Sequence, residues 1–219
     1  MRKFFMANPS THTSLQPACD QSRISLSKPV LLFREKIPAT WFEKIIADIP
    51  AMLIDHAHLE RKAATSAINL EKYRHTLCHV HTLNAIAIEE LEHFELVLQL
   101  LEKRGYKLRF TPQSPWITGL MRAIRHGVDE QVIDHLIVAS LIEGRSCEKF
   151  QILRDRLPSH DTELAEFYGS LVASEGNHYA TFWLMACEVN NAEAHTRLDY
   201  FLDLEAELMR QPHDLVMLH

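Results

Sequence analysis

The chain has 219 residues, 47% of them apolar and 24% charged, with a formal net charge of −6. That is material for one large domain or two small ones; no run approaches the roughly 18 consecutive apolar residues of a membrane span, and the acidic balance disfavours a general nucleic-acid binder. Six glycines and few β-branched runs argue against an all-β fold, and four scattered cysteines with no C-x-x-C pair, behind an N-terminus without a long apolar segment, fit reduced thiols in a cytoplasmic protein.

Residues 1–38 are rich in Ser, Thr, Pro and Gln and show no helical period, so they are expected to form an irregular leader ahead of one helical domain over residues 39–219. A short helix is expected near Thr40. Apolar residues spaced at i, i+3, i+4 and i+7 then predict a helix from about Pro50 to Tyr73 and another from about His79 to Arg104, with Gly105 as its C-cap. The stretch "YKLRFTPQSPWITGLMRAIRHG" reads as a long connection with a short helix near its end. A third long helix follows over about Asp129–Leu157, stopped by Pro158. A fourth covers about Asp161–Val189, and "EAHTRLDYFLDLEAELMR" closes the chain. The expected fold is all-α: a ferritin-like four-helix bundle with one long crossover and additional flanking helices.

Within the second long helix, "EELEHF" places Glu90 and His93 one turn apart on a face shared with Leu83, Ile86, Val97 and Leu100. A carboxylate and an imidazole directed into an apolar core are costly unless something compensates both. The same constellation recurs in "SEGNHYATF", where Glu175 and His178 share a face with Leu164, Phe167, Leu171, Phe182 and Met185. Each motif follows a helix that carries an inward glutamate among small residues: Glu60 precedes Glu90 by 30 residues, and Glu143 precedes Glu175 by 32. A single E-x-x-H is weak, because most are surface accidents. Two of them, each with an inward glutamate at a matched offset, make a ligand set. Four carboxylates and two imidazoles from four helices are the ligands of di-iron and di-manganese carboxylate proteins. Their four negative charges balance two divalent cations, and mixed oxygen and imidazole ligands with open positions suit iron or manganese better than zinc. A bundle with buried salt bridges alone would have too few inward bases for its acids.

Two neighbours are candidates to orient these ligands: Glu89, as acceptor for an imidazole N–H, and His56, one turn before Glu60. Solvation of Glu89 and a core hydrogen bond for His56 are the plainer alternatives. Between Lys103 and Val128 there is no acid, while Lys103, Arg104, Lys107, Arg109, Arg122 and Arg125 are interleaved with Tyr106, Phe110 and Trp116. That pattern suits phosphate contact with base stacking on RNA, or else a solvated connection with a few buried aromatics.

In "LIDHAHLERKAATSA", "EELEHFELVLQLLEKRGY", "LIVASLIEGRSCEKF" and "FYGSLVASEGNHY" the chain resembles the tRNA 2-methylthio-N6-isopentenyladenosine hydroxylases, a branch of the ferritin-like di-iron proteins, over about residues 40–205. The resemblance implies Glu60, Glu90, His93, Glu143, Glu175 and His178 as ligands of two iron ions. It implies a monooxygenase that places one atom of O2 into a C–H bond of the isopentenyl group of an adenosine beside the anticodon, with two electrons from an external reductase. The partners implied are prenylated, methylthiolated tRNA and an electron-donor protein, with no membrane. The prenyl group would need an apolar slot, for which Phe94, Phe167, Leu171 and Phe182 are candidates. A ferroxidase or iron-storage protein without RNA substrate, and a non-enzymatic helical RNA-binding module, are the competing classes.

Overall fold

The computed structural model describes residues 33–211 and 213–219, so the expected leader lies almost wholly outside the described residues; 33–38 are non-helical. The helices are α1 (Ala39–Ala47), α2 (Ile49–Leu70), α3 (Val80–Lys103), α4 (Pro115–Arg122), α5 (Val128–Arg156) and α6 (Thr162–Arg210), and the described residues contain no strand. None of these helices is long and apolar enough to cross a membrane.

Local chemistry sets the boundaries. Asp48 ends α1 and caps α2, its carboxylate accepting from the Ala51 N–H at 2.9 Å, with Pro50 in the first turn where a missing N–H is tolerated. A 3-10 turn (Arg74–His79) leads into α3. Gly105 ends α3 at φ 73°; the Gly105 N–H reaches back to the Glu102 carbonyl and the Tyr106 N–H to that of Leu101, the paired bonds of a Schellman motif. Ser114 caps α4 and Asp161 caps α6. Asp161 also receives Arg104, tying the end of α3 to the start of α6. The expected fourth and fifth helices are one element interrupted at Asn190, which takes extended angles (φ −162°, ψ 103°) and whose side chain accepts from the Glu193 N–H to start the final arm.

The tightest packing is between α5 and α6 and between α2 and α3, so the bundle is two helical hairpins set face to face. Each hairpin is apolar at both ends. One core cluster gathers Leu70, Leu83, Ile86, Leu136, Ile137 and Phe182. The other gathers Leu53, Val97, Leu100, Phe150, Leu164 and Tyr168. A polar layer from all four long helices separates them. Outside this frame, buried Arg145 grips Glu205 of the final arm with two bonds of 2.8 Å, and the Trp116 indole N–H donates to the same carboxylate at 3.1 Å, fixing α4 in place. Buried Asp134 likewise receives both Arg125 and Arg197. The last residues turn back into the bundle, where the Leu218 N–H donates to Asp55 at 2.8 Å.

Candidate metal centre

The polar layer consists of Glu60 from α2, Glu90 and His93 from α3, Glu143 from α5, and Glu175 and His178 from α6, all between 1% and 6% exposed. Their ligand atoms form two groups, Glu60/Glu90/His93/Glu175 and Glu90/Glu143/Glu175/His178, each with one atom per residue lying within 4.8 Å of the others. Glu90 and Glu175 belong to both. Two carboxylates common to two clusters are what a pair of bridged ions requires.

The atoms converge without bonding to one another. His93 Nδ1 lies 3.7 Å from Glu60, 3.8 Å from Glu90 and 3.7 Å from Glu175, beyond hydrogen-bond reach of each. His178 Nδ1 lies 2.7 Å from Glu90 but without the angle for a hydrogen bond. Both Nδ1 atoms, both oxygens of Glu90 and Oε1 of Glu175 are therefore buried with no hydrogen-bond partner. Buried polar atoms are almost always satisfied, and five orphans aimed at one volume fit a pair of metal ions.

The electrostatics agree. Burial, reinforced by Glu90, pushes the Glu143 carboxyl up to about 8. Burial and then Glu143 drive Glu175 well above the ordinary carboxylate range, and burial raises Glu90. Burial opposes charge on the imidazoles too, yet Glu60 and Glu90 lift His93 to about 10, and Glu90 and Glu143 lift His178 to about 9. A metal-free centre thus hoards protons, and divalent cations at the same place would release them.

Each imidazole is steered from outside the centre. His178 pairs through Nε2 with Glu89 at 2.9 Å, so Glu89 serves the histidine of the opposite hairpin rather than His93 on its own helix. His93 Nε2 in turn lies 3.5 Å from the Ser174 hydroxyl. The residue preceding each motif glutamate reaches across to the other hairpin's histidine. Ser174 stands where Glu89 does in the repeat, so the geometry keeps the repeat and changes only the chemistry of the acceptor. His56 is fully buried and pairs with Glu60 through Nε2, while Tyr168, which the sequence does not single out, brings its hydroxyl to 3.2 Å from His56 Nδ1. Although burial works against it, His56 holds the Glu60 carboxyl well below the usual range.

An apolar cavity of about 220 Å³ opens off the centre against Glu60, Glu90, Glu143 and Glu175, walled by Leu59, Ala63, Ile117, Met121, Ala139, Ile142 and Phe182. Of the expected slot residues only Phe182 lines it. Leu171 belongs to the other core cluster, with Phe94 and Phe167 packed on that cluster. The cavity's Lys62 and Met121 also line two surface depressions, one with Arg61 and Lys72, the other with Arg122. These four cations are exposed, and none forms an ion pair with a described residue.

The acid-free connection divides in two. Lys107, Arg109 and Arg122 are exposed. Lys103 binds Glu163, Arg104 binds Asp161 and Glu163, and Arg125 binds Asp134 and Glu193, so these three cations are engaged within the chain. Trp116 is buried and bonded, so it offers no stacking face at the surface; Phe110, at 97% exposed, does.

Four long helices that turn two Glu-x-x-His motifs and two further glutamates onto one buried centre define a ferritin-like carboxylate bundle. A solved Synechococcus protein with aldehyde deformylating oxygenase activity shares this fold at 33% identity and a TM-score of 0.79, over 87% of this chain and 96% of its own. Residues 25–219 match the model of the tRNA-(MS[2]IO[6]A)-hydroxylase (MiaE) family, and the chain belongs to that family. The tRNA 2-(methylsulfanyl)-N(6)-isopentenyladenosine(37) hydroxylase of Pseudomonas putida is 35% identical over 184 residues, 83% of this chain and 88% of the relative. The protein of the same name from Salmonella typhimurium is 34% identical over 124 residues, 57% of this chain and 45% of the relative.

Proposed function

We propose that this chain is a cytoplasmic monooxygenase that hydroxylates the isopentenyl group of a prenylated, methylthiolated adenosine in tRNA, using O2 and two electrons from an external donor protein. The observation that carries this reading is the apolar cavity running from a buried carboxylate and histidine centre to a rim of exposed cations. A ferroxidase needs neither an organic pocket nor a basic mouth, and an RNA-binding module needs no inward acids.

In this reading residues 39–219 are one working domain. Glu60, Glu90, His93, Glu143, Glu175 and His178 would hold two iron ions, Glu90 and Glu175 being common to both ligand groups. Iron supplies the O2 activation that side chains cannot perform. His56 and Glu89 fix the orientation of Glu60 and His178. Ile117, Met121 and Phe182 take the branched five-carbon chain out of water and present a C–H bond to the centre, the seated chain itself displacing water from the apolar wall. Arg61, Lys62, Lys72 and Arg122 contact backbone phosphates around the flipped-out nucleoside, and Phe110 offers a face for stacking.

The test is to load the purified chain anaerobically with Fe(II), reduce it chemically, and add O2 with tRNA carrying the prenylated base. Nucleoside analysis should show the hydroxylated base, with about two irons bound per chain. Iron uptake and oxidation with no change in the nucleoside would return the chain to the ferroxidase class.

A further inference from the structure

Two cavities meet at one side chain. Beside the metal cavity lies a second, of about 310 Å³, lined by Trp41, Lys44, Trp116 and Lys149 and reaching the surface at exposed Thr40 and Gln211. His219 is the one described residue that lines both. Lys149 lines only the second cavity and Ser146 only the first. Lys149 Nζ lies 3.3 Å from His219 Nδ1, and His219 Nε2 lies 2.8 Å from the Ser146 hydroxyl. All three are buried, at 3%, 5% and 6% exposure. The Trp116 ring stacks on His219 at 5.4 Å, and the rings of Trp41 and Trp116 flank the Lys149 ammonium at 5.6 and 5.8 Å.

We propose that Lys149, His219 and Ser146 are a proton path from the second cavity into the metal cavity. The inference rests on the functional reading above. Hydroxylation joins R–H, O2, two electrons and two protons into R–OH and water: the O–O and C–H bonds break, a C–O bond and O–H bonds form, and a donor protein or a chemical reductant is oxidised. The electrons come from outside, and the two protons must reach a buried centre whose cavity mouth the substrate fills. The ammonium of Lys149 donates to Nδ1, Nε2–H donates to the Ser146 oxygen, and the Ser146 O–H faces the cavity that touches Glu60 and Glu143. An imidazole suits the middle position because it takes a proton at one nitrogen and gives one from the other.

The charges around the path suit transfer near neutrality. Burial and then Arg145 lower the Lys149 amine to about 7, against the opposing pull of Glu205, Asp55 and Glu148. Burial and then Lys149 hold His219 well below its ordinary value, so it rests neutral.

The test uses the iron-loaded, reduced chain with prenylated tRNA in single turnover, comparing wild type with Ser146→Ala and Ser146→Thr. Expected is a slowing of about tenfold or more in Ser146→Ala, at unchanged iron content and tRNA affinity, with the rate restored in Ser146→Thr. The wild-type rate should fall as pH rises through about 7, where Lys149 gives up its proton, and Ser146→Ala should lose that dependence. Nitrogen-15 NMR of the metal-free chain gives an independent readout: His219 should carry its proton on Nε2 with Nδ1 free to accept. A proton resting on Nδ1, or a Ser146→Ala rate equal to wild type, overturns the path. A wild type that turns over no prenylated tRNA overturns the functional reading instead, and the His219 tautomer still decides the path.

Discussion

Replacing Glu143 by Gln should stabilise the metal-free chain while abolishing its ability to hold two ions. Glu143 lies in the interior with its carboxyl pushed from 4.5 to about 8 by burial and by Glu90. Between those values the folded chain binds more protons than the unfolded chain, so stability falls as pH rises through that window. At pH 7 the interval above 4.5 is 2.5 units, which at 1.36 kcal/mol per unit is roughly 3 kcal/mol. The amide is neutral at every pH and escapes that penalty. Urea titrations on chelator-treated protein should therefore find Glu143→Gln more stable by about 2–3 kcal/mol at pH 7 and equal to wild type near pH 4, a midpoint shift of roughly 5–10 °C in a thermal scan at pH 7. With Fe(II) added, the order should reverse, because wild type gains binding energy the variant lacks. A metal-free variant less stable than wild type at pH 7 would refute the view that these acids are mutually destabilising, and would make Glu143 a structural residue.

Met121→Trp should fill the cavity mouth and reduce hydroxylation by about tenfold or more with iron still bound at two per chain, read by nucleoside analysis beside an iron assay. Glu89→Ala removes the partner of His178 and should weaken iron binding roughly 10–100-fold, measured by competition with a chelator. Double charge reversal at Lys62 and Arg122 should lower tRNA affinity and flatten its salt dependence by about one unit of slope per lost phosphate contact, while Lys103→Glu, already paired to Glu163, should leave the slope unchanged. Asp134→Ala strands Arg125 and Arg197 around a buried position and should destabilise the chain by about 3–5 kcal/mol in urea unfolding, without altering the iron content of the folded fraction.

The fold and the ligand set are legible because both follow from helical period. Glu90 with His93, and Glu175 with His178, fall on apolar stripes that only a buried face explains, and Gly105 and Asn190 stand where the helices end or break. What period cannot show is which helix lies opposite. Glu89 and Ser174 serve histidines 89 and 81 residues away, a relation fixed by how the two hairpins cross. The same holds for the cations. Arg104 and Arg125 sit in an acid-free stretch, yet their acids come from α5 and α6. Arg61 and Lys62 follow Glu60 on α2 and read as ordinary solvated charge until α4 folds over and makes them a rim. Of Phe94, Phe167, Leu171 and Phe182, the apolar residues near the motifs, only Phe182 lines the slot, because its wall needs the packing of Ile117 and Met121, which depends on the Trp116–Glu205 contact far along the chain.

The division into two helical hairpins bears on how the chain acquires its shape. Each hairpin brings together residues near in sequence and can form early, since local contacts close quickly. Docking the two is a different step, because it brings each hairpin's two glutamates against the other's pair, where burial and mutual repulsion oblige Glu143 and Glu175 to take up protons. Divalent ions would remove that repulsion at the moment of closure. The metal is then also an assembly factor: the chelated chain should still reach its fold, but with a slow docking step, and added divalent ion should speed that step while leaving hairpin formation unchanged.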